Sequence, residues 1–332
     1  MHVRVHDPDE VTSTNAAAEV DPRDVDLSPR DVEAMWGSVV RLYGTGLHPA
    51  IALCVRRRGQ VVIDRAIGHL RGNAPGAPVG GPKVKARHDS LFNLYSASKA
   101  VTAMVVHQLD ERGLVHLDDA VTEYIPEFGK HGKEGTTLRQ ILTHRAGIPM
   151  IRDVKIDLDL LADPGRVVQI LCDARPLSVP GRRLAYHALT GGFVIGEIVR
   201  RVTGRDIRCY LRDEILRPLG LSTFNYGLDA SRIGDLAENA FTGMPAMPPH
   251  SWVLERALGV SVRKAAELSN DPRYITGIIP SGNIIGTANE GSRFFELLLR
   301  EGTVSGTKIL DRRTVRRAVA EQSYLEIDSF LG

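Results

Sequence analysis

Phe92-Asn93-Leu94-Tyr95-Ser96-Ala97-Ser98-Lys99 is the stretch on which the reading of this chain turns. It reads as a short extended segment running into the start of a helix. The apolar residues that follow, Val101, Met104, Val105 and Leu109, fall at i, i+3, i+4 and i+8, one buried stripe, and Gly113 ends the helix. At about 3.6 residues per turn, a serine three places before a lysine sets hydroxyl and amine on one helix face. A serine alone is a poor nucleophile; a neighbouring base activates it, and Lys99 can take the proton of Ser96 without a histidine.

Working outward, residues 1–27 are rich in Asp, Glu, Ala, Thr and Pro and read as a mobile tail. Ser28-Pro29-Arg30-Asp31 is a helix start, with Ser as N-cap, Pro at the first helical position and an acid in the first turn; the helix runs to about Tyr43 and stops at Gly44. Ala50 to Val55 and Gln60 to Ile67 are strand-like runs around an Arg58-Gly59 hairpin turn, and Arg71 to Pro82 is a loop. The middle of the chain is mostly helical in pattern, with a short helix at Thr137–Thr143 closed by Ala146-Gly147-Ile148-Pro149 and another from Leu189 to Val202 ending at Gly204. Thr287-Ala288-Asn289-Glu290 is a capping box leading into Phe294, Phe295, Leu297 and Leu298, and Asp311 caps a last helix. The expected domain after the tail is 28–332, with 28–115 and 275–332 forming a sheet-and-helix part and 116–274 a mostly helical insert.

Composition narrows the classes. The 332 residues are 43% hydrophobic and 25% charged, with a net charge of +2, an ordinary globular balance. Arg56-Arg57-Arg58 and Arg312-Arg313 with Arg316-Arg317 read as solvated faces, so no nucleic-acid partner is expected. No run reaches the roughly 18 apolar residues of a membrane span. The opening Met1-His2-Val3-Arg4 leads into acidic, polar sequence with no apolar leader, and the expectation is a cytoplasmic protein. Cys54, Cys172 and Cys209 are odd in number and far apart, which reads as free thiols.

Several chemistries compete for the same letters. Tyr95 and Lys99 match Tyr-x-x-x-Lys, the catalytic pair of short-chain dehydrogenases, but that enzyme needs a glycine-rich dinucleotide turn. The nearest candidate, Gly44-Thr45-Gly46-Leu47-His48-Pro49, lacks the third glycine and runs into a proline. No Gly-x-Ser-x-Gly elbow exists; Gly259-Val260-Ser261-Val262-Arg263 fails at its last position. The histidines show no metal-ligand spacing, and His144 and His116 read as polar partners of loop backbone. No metal or organic cofactor is expected.

What remains is Ser-x-x-Lys in a specific setting. With the nucleophile block stand Gly113-Leu114-Val115-His116-Leu117-Asp118-Asp119-Ala120-Val121, Tyr124-Ile125-Pro126-Glu127-Phe128, and Thr136-Thr137-Leu138-Arg139-Gln140-Ile141-Leu142-Thr143-His144-Arg145-Ala146-Gly147-Ile148-Pro149. Pro180-Gly181, Tyr186 and Arg217-Pro218-Leu219-Gly220-Leu221 follow in order. Together these blocks resemble the serine β-lactamase and penicillin-binding protein superfamily, and within it the branch of class C β-lactamases and related esterases. The resemblance implies an α+β fold: an antiparallel sheet flanked by helices, with a helical insert. It implies Ser96 as acyl-accepting nucleophile, Lys99 as its proton acceptor and Tyr186 as the tyrosine that shares proton transfer. The implied activity is cleavage of a small-molecule carboxylic ester through an acyl-serine intermediate. The alternatives are a β-lactamase or D-Ala-D-Ala peptidase-like enzyme, or a truncated, inactive ligand-binding relative.

Two departures bear on the choice. The family's second motif usually ends in asparagine two residues after the tyrosine; here the sequence is Tyr186-His187-Ala188, and Ala188 cannot contact a substrate amide. His187 and Ala188 are expected to line the substrate site, His187 alternatively being a plain loop residue. The third motif, Lys or His, then Thr or Ser, then Gly on a strand, is not found between Tyr186 and Leu331-Gly332. The expected fold therefore lacks its C-terminal strands. One oxyanion donor fewer costs about 100- to 1,000-fold in rate, which places the activity of this 332-residue form in question.

Overall fold

The structure is a computed structural model that describes residues 1–331 apart from 152, 153, 155 and 156. The chain divides into two units. One comprises Met1–Asn93, Asp229–Pro245 and Ile285–Glu296; the other comprises Leu94–Leu228, Ala246–Ile284 and 297–331.

The first unit is built on an antiparallel sheet of β1 (Thr12–Thr14), β2 (Ala50–Arg57), β3 (Gln60–Arg71) and β4 (Val84–Lys85). β3 lies between β1 and β2, and β4 pairs with it at His69 and Arg71. The β2–β3 turn is the two-residue Arg58-Gly59, with φ of 52° and 88°, the doubly left-handed geometry whose twist suits a tight hairpin. Helix Pro29–Gly44 begins on a reciprocal capping box: Ser28 Oγ accepts from the Asp31 N–H at 3.2 Å, and the Asp31 carboxylate accepts from the Ser28 N–H at 2.8 Å. Its Val32, Trp36 and Tyr43 pack with Val62, Ile63 and Ile67 of β3. Ala66 and Leu70 of the same strand join a separate cluster with Ala86 and Ala237. Covered by both clusters, β3 is buried along nearly its whole length, Asp64 and His69 included.

The N-terminal segment departs from the expected mobile tail. Thr12–Thr14 pairs with Arg65–Ile67 of β3, and Val3, Val11 and Val25 are buried. Glu19 accepts the Asp64 N–H at 2.8 Å and holds Arg65 in a 2.8 Å ion pair whose side chains are only 14% and 12% exposed. Asn15 donates to Asp64 at 2.9 Å. Polar groups such as Asn15 and Glu19 are partners for the sheet, and Val3, Val11 and Val25 are the apolar residues that bury.

The second unit is mostly helical. Helix Ser98–Glu111 is buried at Ser98, Val101, Thr102, Met104, Val105, Gln108 and Leu109, and it packs against Thr190–Thr203 and Arg312–Ala318. A helix buried nearly all round belongs at the centre of other helices. That is why the boundary differs from the expected one at 115 and 275: the nucleophile helix and residues 297–331 group with the helical unit. Residues 229–245 group instead with the sheet, where Arg71 reaches the Ile233 carbonyl at 2.5 Å and the Ala237 N–H reaches the Leu91 carbonyl at 2.9 Å. Helix Leu138–Leu142 opens on a Thr137–Gln140 capping box, and Gly204, with φ 71°, closes Thr190–Thr203.

Removing residues 1–27 is expected to lower Tm by about 5 °C or more, because three buried valines and the Glu19–Arg65 pair are lost. Thermal melts of the shortened and full chains check this; equal Tm values would restore the mobile-tail reading.

Candidate active site

The nucleophile block turns sharply before its helix. Tyr95–Ala97 forms a single 3-10 turn that runs into Ser98–Glu111, and Tyr95 sits at φ 45°, a left-handed conformation that is strained for a side-chain-bearing residue. The Tyr95 hydroxyl holds Ser269 Oγ at 2.7 Å. Ser96 lies in the first turn, so its main-chain N–H has no partner inside the helix and is a ready donor to a developing oxyanion. Ser98, the second serine of the motif, is fully buried and accepts the Ile284 N–H at 2.9 Å, a structural role.

Lys99 and Tyr186 converge on Ser96. Lys99 Nζ lies 3.0 Å from Ser96 Oγ, and Tyr186 Oη donates to the same oxygen at 2.7 Å. Lys99 Nζ also donates to the Ser281 carbonyl at 2.9 Å and stands 5.0 Å from the centre of the Tyr186 ring. Burial pulls the Lys99 amine below the usual lysine range, and the Tyr186 hydroxyl partly offsets that. Among the described residues no acid is paired with this lysine, so nothing fixes its positive charge, and a neutral amine next to a serine hydroxyl can accept a proton.

The Pro280-Ser281-Gly282 turn supplies the third fixed point. Thr102 Oγ1 donates to the Pro280 carbonyl at 2.6 Å and meets the buried Tyr226 hydroxyl at 2.7 Å. Ser281 Oγ accepts the Gly192 N–H at 3.1 Å and donates to the Leu189 carbonyl at 3.1 Å. This close seat requires glycine: a Cβ on Gly192 would lie 2.3 Å from Ser281 Oγ and 2.7 Å from its nitrogen.

Beside Ser96 opens a cleft of about 110 Å³ with apolar walls, among them Leu158, Leu161, Leu189, Leu258, Val260 and Leu268. Asp157, its one acidic residue, has a carboxylate occupied as the N-cap of helix Leu158–Leu161. Ala188 is in the wall, and its methyl group carries no hydrogen-bonding atom. His187 is not among the residues of that cleft, though with Lys99 it borders the small space behind the lysine. It is buried, its Nε2 accepts the Ile148 N–H at 3.1 Å, and its Nδ1 lies 2.6 Å from the Ala185 carbonyl. Burial holds it neutral, with its pKa pulled down to about 3, so it braces the loop behind Tyr186 and does not face that cleft. Ser281, Thr102 and the apolar wall were not singled out from the sequence; the only local signal was the Pro280-Ser281-Gly282 turn. Among the described residues no three His, Cys, Asp or Glu side chains converge as a metal site, and no helix is long and apolar enough to cross a membrane.

A serine, a desolvated lysine and a tyrosine thus meet at these distances on an α+β framework. The chain belongs to the beta-lactamase family, whose model matches residues 39–330. It is 31% identical over 241 residues to "Esterase/beta-lactamase LipL" of Mycobacterium tuberculosis, covering 68% of this chain and 55% of that protein. A penicillin-binding protein homologue from Caulobacter crescentus superposes with a TM-score of 0.75 at 27% identity, covering 90% of this chain and 78% of the other. A family VIII carboxylesterase gives a TM-score of 0.71 at 27% identity, covering 86% of this chain and 73% of the other. The expected β-lactamase/transpeptidase-like fold is thus the observed one. The chain matches 54% to 60% of the length of the first curated relatives.

Gly192→Ala is expected to displace Ser281 and to destabilise the protein by about 1–3 kcal/mol, the cost of overpacking a closed seat. Denaturant melts check this; wild-type stability would show that the seat is not closed.

Proposed function

We propose that this chain is a serine ester hydrolase acting on small carboxylic esters with an apolar acyl group. Neutral Lys99 accepts the Ser96 proton as Oγ attacks the ester carbonyl carbon. The carbonyl π electrons move to oxygen, which the Ser96 N–H stabilises. As the tetrahedral intermediate collapses, the carbon–oxygen bond to the alcohol breaks. Tyr186 gives its proton to the departing alkoxide and regains one from Lys99. Water then repeats the sequence on the acyl-serine and releases the acid.

The observation that carries this reading is the double approach to Ser96 Oγ, 3.0 Å from Lys99 and 2.7 Å from Tyr186, at the mouth of an apolar cleft. The cleft supports an ester over a β-lactam: its wall at Ala188 has no side-chain amide to meet the amide of a penicillin or peptide. The relative named esterase and β-lactamase, and the carboxylesterase with the same fold, support the same class. Three free cysteines fit a cytoplasmic site of action.

Hydrolysis of p-nitrophenyl acetate, butyrate and laurate, with nitrocefin alongside, tests the proposal. Butyrate is expected to be the best ester, nitrocefin turnover to be far slower, and Ser96→Ala to abolish turnover. Leu161→Trp or Leu268→Trp, which shorten the cleft, are expected to shift preference from butyrate toward acetate. Nitrocefin turnover matching ester turnover would favour the β-lactamase alternative. No ester turnover and no fluorophosphonate labelling of Ser96 would sink the enzyme reading.

A further inference from the structure

The loop Thr143-His144-Arg145-Ala146-Gly147 has a histidine that the hydrolytic scheme leaves unused. His144 follows helix Leu138–Leu142 in a left-handed conformation, φ 60°. Its carbonyl accepts the Ala185 N–H at 2.9 Å. Its Nδ1 accepts the His187 N–H at 3.1 Å. The residues on both sides of Tyr186 are therefore fastened to one histidine. The ring itself lies 4.9 Å from the Tyr186 ring, tilted by 54°, and stacks on His187 at 5.8 Å. His144 also lines, with Lys99, Ala103, Ile141 and Gly192, the small space behind the lysine.

We propose that His144 is the positioning residue that aims the Tyr186 hydroxyl at Ser96. This rests on the reading of Ser96, Lys99 and Tyr186 as the hydrolytic group. The three contacts fix the main chain before Tyr186, the main chain after it and the plane of its ring. A phenol held this way keeps its hydroxyl on Ser96 Oγ at 2.7 Å, where it can pass a proton to a leaving group. Nδ1 can accept only while it is unprotonated. The charged and titratable groups facing the ring are Lys99 from the nucleophile helix, Tyr186 and His187 from the loop, and Asp328 from the C-terminal segment. Burial first, then the Lys99 charge, pull its pKa down to about 4, with Asp328 opposing. The imidazole is therefore neutral wherever Lys99 can serve as a base.

The test separates aiming from mere support of the fold. Tyr186 matters most when the leaving alcohol needs a proton, so two butyrate esters are compared: an ethyl ester with a poor leaving group and a p-nitrophenyl ester with a good one. His144→Phe keeps a ring and loses the acceptor. His144→Asn keeps an acceptor in the place of Nδ1 and tolerates the left-handed backbone. His144→Phe is expected to lower kcat/KM, which reports the acylation step, roughly 100-fold on the ethyl ester and less than about fivefold on the p-nitrophenyl ester. Tyr186→Phe should give the same split, and His144→Asn should recover most of the ethyl ester rate. Equal losses on both esters, or no loss, would overturn the inference. A crystal structure of His144→Phe reads the aiming directly, whatever the activity. Tyr186 Oη is expected to leave hydrogen-bond reach of Ser96 Oγ, and an unmoved tyrosine contradicts the proposal. If the wild type turns over no ester, the hydrolase reading fails, while this structural comparison still decides the role of His144. Should His144→Phe not fold, His144→Asn against wild type carries the test: a changed ratio between the two esters overturns the inference.

Discussion

A lysine held out of water beside a serine is the constraint on which the site depends. An ammonium loses hydration on burial, and only pairing with an acid or strong acceptors restores it. Here Lys99 has one carbonyl, one hydroxyl and the face of Tyr186. Its base form is favoured because its charged form is poorly served. Lys133 shows the contrasting arrangement in the same unit: fully buried, it donates to the carbonyls of Lys130, Cys172 and Ala174 and stands over the Phe128 ring. Burial lowers the Lys133 amine as well, so what sets Lys99 apart is its place beside the Ser96 hydroxyl.

The surroundings of Lys99 follow from that need. Helix Ser98–Glu111 is buried on nearly every side, so the turn at its start is fixed from behind while Ser96 stays open. The Ser281 seat depends on the absence of a side chain at Gly192. Tyr186 is held between two main-chain bonds to His144, and the neutral histidines on that side add no charge next to the lysine. The strain at Tyr95 sits at the nucleophile, where surrounding contacts such as its bond to Ser269 hold it in place.

Much of this was legible in the sequence. Capping signals at Ser28, Thr137 and Gly204 and the Arg58-Gly59 turn are local, and local chemistry decides them. Ser96, Lys99 and Tyr186 were readable because the first two share a helix face and the third lies in an ordered set of family blocks. What sequence could not give was non-local. The fastening of residues 1–27 depends on Asp64 and Arg65, some 45 residues away, and polar composition alone resembles disorder. His187 next to Tyr186 suggests a site residue; only the bonds from Ile148 and to Ala185 show that it faces inward. The apolar cleft is assembled from helices and loops scattered between Tyr95 and Gly282, so no single stretch announces it.

The central claim is that burial beside Ser96 shifts Lys99 toward its neutral, base form. Nuclear magnetic resonance of the protein labelled with ¹³C at lysine Cε, titrated with pH, reads this directly, with Lys99 and Lys133 assigned by Lys99→Met and Lys133→Met. The account predicts that the Lys99 signal titrates clearly below the ordinary lysine value of about 10.4 and vanishes in Lys99→Met. A Lys99 that titrates with the surface lysines would contradict it.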